Sequence, residues 1–172
     1  MKLFLFFLIL SIVTHAIRTI YEILKTRNKI KLQNKIIFII IATDMFVLWI
    51  SWFYLCLTDP VKITLSPVFR HLGAGIFILG VILFIGSFAK IKKFGNSNEE
   101  LITNGIYRFL RHPMYLSFVF WMVGSSLFNQ SAVACLMTII FTVNIFIWGK
   151  LEEIRLQKIF PGYKEYIRRT YF

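Results

Sequence analysis

The sequence is poor in charged residues, and acidic residues are the scarcest of them. Charged side chains make up 16% of the 172 residues, with 8 Asp and Glu against 20 Lys and Arg. Soluble domains carry roughly 25% charged residues, whereas 58% of this chain is hydrophobic and 17% is aromatic. An ordinary water-soluble globule is excluded. A disordered chain is excluded as well, because 19 Phe supply apolar surface that disordered chains lack.

Cysteine and the motifs of soluble enzymes are also scarce. Cys56 and Cys135 are the two cysteines, and neither belongs to a CxxC or Cys/His cluster with the spacing of metal ligands. No metal site is predicted, and packing of two small apolar side chains is favoured over a disulfide. The sequence contains no GxSxG, HExxH, P-loop or GxGxxG signature. The expected architecture is therefore not a Rossmann fold.

Long apolar stretches predict an all-α fold, a polytopic membrane helical bundle. The first three stretches reach the length of about 20 residues that crosses the hydrocarbon core. The last two are shorter, and the two residues between them indicate a tight helical hairpin. The five predicted spans are Leu3–Leu24, Ile36–Leu57, Val68–Ala89, Met114–Phe128 and Ser131–Trp148.

Basic residues concentrate between the predicted spans. Sixteen of the twenty Lys and Arg fall within residues 25–35, 90–111 and 150–169. Five spans place these segments on one side, so the positive-inside rule predicts an outside N-terminus and a cytosolic C-terminus. Lipid headgroups account for the net charge of +12, and no nucleic-acid partner is expected. Residues 1–16 also fit a secretory signal, but the apolar run continues to Leu24, which favours an uncleaved span.

We predict a single membrane domain over residues 1–172. Residues 1–89 form a three-span part, and residues 90–172 form the part that carries the site. The polar stretch KIKKFGNSNEELITNG after Ala89 predicts a loop between the two parts. Ionisable residues inside spans are expected to face the bundle interior, and Asp44 is predicted to pair with Arg18.

The segment NGIYRFLRHPMYLS, residues 104–117, places unusual polar residues at the start of the fourth span. Pro113 suits the first turn of a helix, where its missing N–H costs nothing. Arg111 and His112 then lie at a helix N-terminus, which favours anionic groups such as a carboxylate or phosphate. The alternative is that these two residues only anchor the span at the headgroups.

From Lys150 the sequence KLEEIRLQKIFPGYKEYIRRTYF predicts an amphipathic helix, a break at Pro161–Gly162 and a second short helix. Glu152 and Glu153 diverge by about 100° on a helix. Only one of them can enter a pocket, and the other is expected to meet solvent or Arg155. A pocket carboxylate suits ribose hydroxyls or an amino group, although both carboxylates could instead balance the surrounding basic charge.

These motifs resemble those of the isoprenylcysteine carboxyl methyltransferase family of integral membrane methyltransferases. The resemblance rests on RHPMY at Arg111–Tyr115, preceded by NGIYRFL, and on the EE pair followed by FPGYKEYIRRT. It spans Leu101–Thr170. The RHPxY element is shared with phospholipid methyltransferases and membrane sterol reductases, and the order and spacing of the two motifs make the resemblance more specific.

The resemblance implies a cytosol-facing pocket for S-adenosylmethionine, built by the loop before the fourth span, the hairpin and the C-terminal helices. Arg111 would be structural or would bind the cofactor carboxylate. Arg169, with Arg168 beside it, would be the catalytic residue that orients an acceptor carboxylate. The cofactor-binding positions carried over from the family are Leu101, Tyr107, Arg111, His112, Pro113, Tyr115, Glu152 and Glu153.

The expected reaction is methylation of a lipophilic acceptor, either at a carboxylate, as in isoprenylcysteine, or at a hydroxyl. Ser117 stands where the family often has glycine, and the chain ends at Phe172 without a longer tail, so the acceptor pocket is expected to differ. Phospholipid N-methylation and an NADPH-dependent sterol-type reduction are the alternatives. The expected partners are membrane lipids and a lipophilic or lipidated substrate. The expected location is a prokaryotic plasma membrane, or the endoplasmic reticulum in a eukaryote.

Overall fold

The computed structural model describes residues 1–30, 34–94 and 101–172, and every regular element in these ranges is helical. The prediction of an all-α membrane helical bundle is confirmed. A 3-10 turn over Gly105–Arg108 precedes the fourth α-helix. The α-helices are α1 (Lys2–Thr26), α2 (Lys35–Thr58), α3 (Pro67–Phe94), α4 (Pro113–Phe128), α5 (Ala132–Ile159) and α6 (Tyr163–Arg169).

Four of these helices, α1, α2, α3 and α5, are long and apolar enough to cross a membrane, and α4 is a shorter apolar helix. Large apolar side chains such as Ile9, Ile39 and Ile139 point outward and are more than half exposed. In water this surface would be very costly, whereas lipid tails accommodate it. The first four predicted spans agree with the helix bounds within three residues, apart from α3, which continues to Phe94.

The fifth predicted span and the amphipathic helix predicted after it form one helix, because α5 continues without interruption past Trp148 to Ile159. The residues after Trp148 include Lys, Leu, Glu, Arg and Gln, which are all good helix formers, and Pro161 is the first residue that stops the helix. The predicted amphipathic helix is therefore the last third of α5. The predicted break at Pro161–Gly162 and the short helix that follows are observed. Residues 95–100 of the predicted polar loop lie outside the described residues.

The helices pack with alternating direction around a shared core. Gly73 in α3 and Gly124 in α4 lie so close that a Cβ at Gly124 would come within 2.6 Å of the Phe77 nitrogen. Small residues at such a crossing let two helix backbones approach closely. The buried indole N–H of Trp52 donates to Ser125 Oγ at 2.9 Å, and that of Trp148 donates to Thr19 Oγ1 at 2.8 Å. These bonds tie α2 to α4 and α5 to α1.

This alternation gathers the C-terminal ends of α1, α3 and α5 with the N-terminal ends of α2 and α4. We call this end of the bundle the basic end, because the three basic segments of the sequence adjoin it. At the opposite end, Asp59 accepts hydrogen bonds from Ser131 Oγ and from the Val133 nitrogen, and so caps α5. Cys56 and Cys135 are both free thiols.

The ion pair predicted between Arg18 and Asp44 is not observed. Arg18 Nη2 instead lies 2.5 Å from Glu22 Oε1, and Lys25 Nζ lies 2.8 Å from Glu22 Oε2. Glu22 is one turn from each cation on the same helix, so the pairs form without any tertiary contact. Glu22 is fully buried, and α1 thus carries its own counter-ion inside the bundle.

Candidate active site

A cavity of about 750 Å³ opens at the basic end of the bundle. Its size lies in the range of small-molecule sites in proteins, roughly 300–1,000 Å³. One part, the polar wall, is lined by polar side chains from the start of α4 and the last third of α5. The other part, the apolar arm, is lined by α2, α3 and the middle of α4. Residues on both sides of the predicted division at residue 89 contribute to the lining.

His112 is the centre of the polar wall. Its Nδ1 lies 3.6 Å from Glu152 Oε2, and its Nε2 lies 3.5 Å from Glu153 Oε1. The ring is 5.5 Å from the Tyr115 ring, centroid to centroid, and stacks on it. His112 is the N-cap residue of α4, and Pro113 occupies the first turn as expected. The helix start therefore holds the imidazole between the two carboxylates of α5.

The two adjacent glutamates have different surroundings. Glu152 lines the cavity and its side chain is 26% exposed, whereas the Glu153 side chain is 7% exposed and lies behind the wall. The prediction that only one of them enters a pocket agrees with this arrangement. The prediction that the second glutamate meets solvent or Arg155 is wrong. Glu153 instead contacts Arg111 and Lys150, each at 2.8 Å.

Arg111 joins three parts of the site. Its Nε donates to Glu153, and its Nη1 donates to the backbone oxygens of Ile167 at 3.1 Å and Thr170 at 2.6 Å. The planar guanidinium suits several acceptors in one plane, which an ammonium cannot match. Of the two roles that the resemblance implies for Arg111, these contacts favour the structural one.

The last residues of the chain lie against the loop that precedes α4. The Arg111 and His112 nitrogens both donate to the Phe172 oxygen, at 2.7 and 3.0 Å, and the Tyr171 nitrogen donates to the Phe109 oxygen at 2.7 Å. This pairing fixes α6 over the polar wall.

Two tyrosines of α6 and one before α4 complete this wall. The Tyr166 hydroxyl donates to the Tyr107 carbonyl at 2.6 Å, and burial raises the pKa of Tyr166 to about 12. Burial, with the nearby Glu152 carboxylate, also raises the pKa of Tyr107. The phenol of Tyr163, buried in the same wall, has its pKa raised mainly by burial as well. All three phenols therefore stay protonated at neutral pH, and the Tyr166 hydroxyl acts as a hydrogen-bond donor.

The apolar arm lies between α2 and α3. These helices meet through Phe53 and Phe77, whose ring centroids are 5.8 Å apart, toward the end opposite the basic end. Nearer the basic end both helices line the cavity instead. Trp121 of α4 lies beside Trp49 and Phe84, at 4.9 and 5.0 Å between ring centroids. The residues of α2, α3 and α4 that line the arm include Phe38, Ile41, Met45, Trp49, Phe84, Phe88, Phe118 and Trp121.

Most, but not all, of the predicted site residues meet at this cavity. Pro113 is fully buried beneath the wall and, like Glu153, does not belong to the lining that the structure describes. Arg168 is exposed, and Arg169 lines an adjoining surface pocket, where its side chain is 75% exposed and paired with Glu165. The predicted residues that line the cavity are Leu101, Tyr107, Arg111, His112, Tyr115 and Glu152.

Sequence reasoning did not assign three cavity residues of α1, namely Arg18, Tyr21 and Lys25. Their spacing of i, i+3 and i+7 places them on one face of a helix, and that pattern was the available signal. Tyr163 and Tyr166 belong to the predicted second short helix, and no site role is predicted for either of them. Their contribution depends on how α6 folds back, which helical periodicity does not reveal.

The donor set fits S-adenosylmethionine. Glu152 offers a carboxylate toward the cavity, and the His112 ring lies beside it with Nδ1 3.6 Å from Glu152 Oε2. Four tyrosines supply aromatic surface and protonated hydroxyls on the same wall. A carboxylate suits an ammonium or ribose hydroxyls, and aromatic rings suit an adenine base and a sulfonium.

The fold and a family comparison together identify the class of membrane protein to which this chain belongs. A family model described as phospholipid methyltransferase matches residues 68–162, which is more than half of the chain. The chain therefore belongs to the phospholipid methyltransferase family, part of the isoprenylcysteine carboxyl methyltransferase-like membrane methyltransferases. The resemblance seen in the sequence motifs is confirmed. The match begins in α3, so α1 and α2 lie outside it.

Two curated relatives match over 77 residues. The cobalt-zinc-cadmium resistance protein CzcN of Cupriavidus metallidurans is 31% identical, and the nickel-cobalt-cadmium resistance protein NccN of Alcaligenes xylosoxydans xylosoxydans is 30% identical. Each alignment covers 44% of this chain and 36% of the relative. No solved structure matches the chain. Within residues 1–30, 34–94 and 101–172, no group of three or more His, Cys, Asp or Glu could hold a metal ion.

Proposed function

We propose that this protein transfers a methyl group from S-adenosylmethionine to a lipophilic acceptor that enters from the bilayer. One observation carries the proposal: a single cavity joins the polar wall around His112 and Glu152 to the apolar arm between α2 and α3. A polar donor and an apolar acceptor would thus meet in one space. The family membership supports the reaction type.

The polar wall supplies the contacts that would hold the cofactor. Glu152 would accept hydrogen bonds from the methionine ammonium or the ribose hydroxyls, and His112 would hold Glu152 in place through Nδ1. Tyr107 would offer its ring and protonated hydroxyl, with Leu101 packing beside it, and Tyr166 would hold Tyr107 through its hydrogen bond to the Tyr107 carbonyl. Arg111 and Glu153 would act from behind, by fixing α4, α5 and the C-terminal residues relative to one another.

When bound, S-adenosylmethionine supplies an electrophilic methyl group on a sulfonium sulfur. Glu152 and the polar wall would hold the cofactor while its methyl group passed to the acceptor oxygen, and the carbon–sulfur electron pair would stay on sulfur as a neutral thioether. A carboxylate acceptor leaves no proton to remove, so the chain needs to align and desolvate the reactants more than it needs a general base. Opposite charges are neutralised in this step, which an apolar arm favours.

We further propose that the basic end faces the cytosol, as the positive-inside rule predicts. Arg169 remains the residue that the resemblance implies for orienting an acceptor carboxylate. Its pairing with Glu165 outside the cavity means that it would have to leave that partner to reach the acceptor. Full activity of Arg169→Ala with a carboxylic substrate would remove this role.

Phospholipid N-methylation is the second candidate, and the description of the matching family favours it. An amine acceptor would use the same cofactor wall and would meet aromatic rings such as Trp49 and Trp121, which can stabilise a cationic product. Sterol-type reduction would instead require room and basic contacts for NADPH.

Incubation of the purified protein with methyl-labelled S-adenosylmethionine and a total lipid extract tests the proposal. Label in a lipophilic product supports methyl transfer, and its absence contradicts it. Alkaline treatment then separates carboxyl methylation from N-methylation, because a methyl ester releases volatile methanol whereas an N-methyl group is retained.

A further inference from the structure

The carboxyl end of α1 lies against the polar wall, although the family match does not include this helix. Thr26 Oγ1 donates to the Leu151 oxygen at 3.1 Å, and Thr19 Oγ1 donates to Asn144 Oδ1 at 3.0 Å. Both bonds join residues 125 positions apart, so the parallel helices α1 and α5 keep one register over two turns. This register fixes where the end of α1 meets the last third of α5.

Lys25 and Glu152 are brought together by this register. Lys25 is the residue before Thr26, and Glu152 is the residue after Leu151. Their side chains carry opposite charges, line the same cavity and lie close enough to interact electrostatically. The Lys25 ammonium also lies 2.8 Å from Glu22 Oε2, which holds it at the wall. An ammonium has three donors, so the contact with Glu22 leaves two of them for other partners.

The other permanent charges of the lining are engaged elsewhere. Arg18 pairs with the carboxylate one turn away on α1 and also lies near the carboxylate of Asp44. Arg111 is occupied by its ion pair with α5 and by its bonds to backbone oxygens near the end of the chain. Within the part of the lining that the structure describes, Lys25 and Glu152 are therefore the cation and the carboxylate that remain for a ligand.

A lysine and a carboxylate side by side form a neutral pair that is complementary to a ligand group carrying both charges. The amino-acid end of S-adenosylmethionine is such a group, with an ammonium and a carboxylate on the same carbon. Hydrogen bonds between charged groups are roughly twice as strong as those between neutral ones. The ribose, which is the alternative partner of Glu152, carries no charge and would leave Lys25 without a matching group.

We propose that Lys25 binds the carboxylate of the cofactor's amino-acid end while Glu152 binds the ammonium on the same carbon. This proposal rests on the proposed function, and it assigns the end of the cofactor that meets Glu152. Glu22 positions Lys25, and the register between α1 and α5 positions Lys25 relative to Glu152. The cofactor site thus includes a residue of α1, a helix outside the family match.

Three ligands separate the two charged contacts. S-adenosylhomocysteine carries both groups, its decarboxylated analogue carries only the amine, and its deaminated analogue carries only the carboxylate. Calorimetric titration into the detergent-purified full chain measures the affinity for each ligand. We expect the parent to bind either analogue about tenfold or more weakly than S-adenosylhomocysteine. Equal affinity of the parent for S-adenosylhomocysteine and the decarboxylated analogue contradicts a bound carboxylate.

Substitution of Lys25 assigns the carboxylate contact. Lys25→Met should bind S-adenosylhomocysteine about tenfold more weakly than the parent does, because the charged donor is lost. The same variant should bind the decarboxylated analogue no more weakly than the parent does. Glu22 keeps Arg18 as its partner in this variant, so no unpaired carboxylate is left on α1. Lys25→Arg keeps the charge and should retain most of the preference for a carboxylate.

Substitution of Glu152 should give the converse pattern. Glu152→Gln should lose the discrimination between S-adenosylhomocysteine and the deaminated analogue, while it still discriminates against the decarboxylated one. Lys29→Met makes the same change as Lys25→Met at an exposed position just after α1. This control should bind all three ligands as the parent does.

The outcomes of these titrations are distinguishable. If the parent fails to bind S-adenosylhomocysteine, the proposed function fails. If the parent binds it but Lys25→Met weakens all three ligands by the same factor, Lys25 has only a structural role, and the proposal is overturned while the proposed function stands. If Lys25→Met does not fold, Lys25→Gln is measured with the same three ligands, and the same results support or overturn the assignment.

Discussion

Arg111 Nε lies 2.8 Å from Glu153 Oε1, and this ion pair connects the residue before the α4 cap to the last third of α5. The two residues are 42 positions apart in the chain. Because Arg111 also binds the backbone at Ile167 and Thr170, one guanidinium fixes the geometry of the loop, α5 and α6 together. Glu152 can therefore face the cavity while its neighbour Glu153 supports the wall.

The adjacent glutamates should respond differently to the same change. Glu152→Gln should weaken S-adenosylhomocysteine binding about tenfold with little change in Tm, because a charged acceptor is lost from the cavity wall. Glu153→Gln should lower the free energy of unfolding by about 1.5–3 kcal/mol, because Arg111 and Lys150 lose a charged partner. Calorimetric titration and thermal unfolding in detergent measure the two effects. Equal effects of both substitutions would refute the assignment.

Arg111→Lys should loosen the C-terminal residues. A lysine at this position keeps the charge but loses the planar set of donors, so the bonds to Ile167 and Thr170 are lost. Hydrogen exchange measured by mass spectrometry should become about tenfold or more faster at the Tyr171 amide and along α6. Arg70→Lys, at an exposed position of α3, is the matched control and should leave this exchange unchanged. Unaltered protection in Arg111→Lys would show that the guanidinium does not fix α6.

Gly124→Ala should destabilise the contact between α3 and α4. The added Cβ would lie 2.6 Å from the Phe77 nitrogen and 2.7 Å from the Gly73 oxygen, so the helices must separate, at a cost of about 1–3 kcal/mol. Gly75→Ala is the control, because its Cβ meets nothing within 4 Å and alanine favours a helix. A Tm of Gly124→Ala equal to or above that of Gly75→Ala would contradict the close packing.

The helices could be predicted from local sequence, whereas the site depended on long-range folding. The lengths of the apolar stretches predict where α1, α2 and α4 begin and end, and Pro161 indicates where α5 ends. The partners of the charged residues were harder to predict. The spacing of Glu22 from Arg18 and Lys25 is enough to predict the two observed ion pairs. The pair predicted for Arg18 is instead the tertiary one with Asp44, which the structure does not contain. The contact between Arg111 and Glu153 depends on how α5 packs against the residues before α4, which no local pattern encodes.

The most direct measurement of the central claim is ligand-dependent thermal unfolding of the purified protein. S-adenosylhomocysteine should raise Tm, with a stabilisation of about 2.7 kcal/mol at 100 times its Kd, and NADPH should not. His112→Ala should reduce the shift, because Glu152 loses the group beside it, whereas His71→Ala, at an exposed position of α3, should not. A shift with NADPH and none with S-adenosylhomocysteine would contradict a methyltransferase site at this cavity.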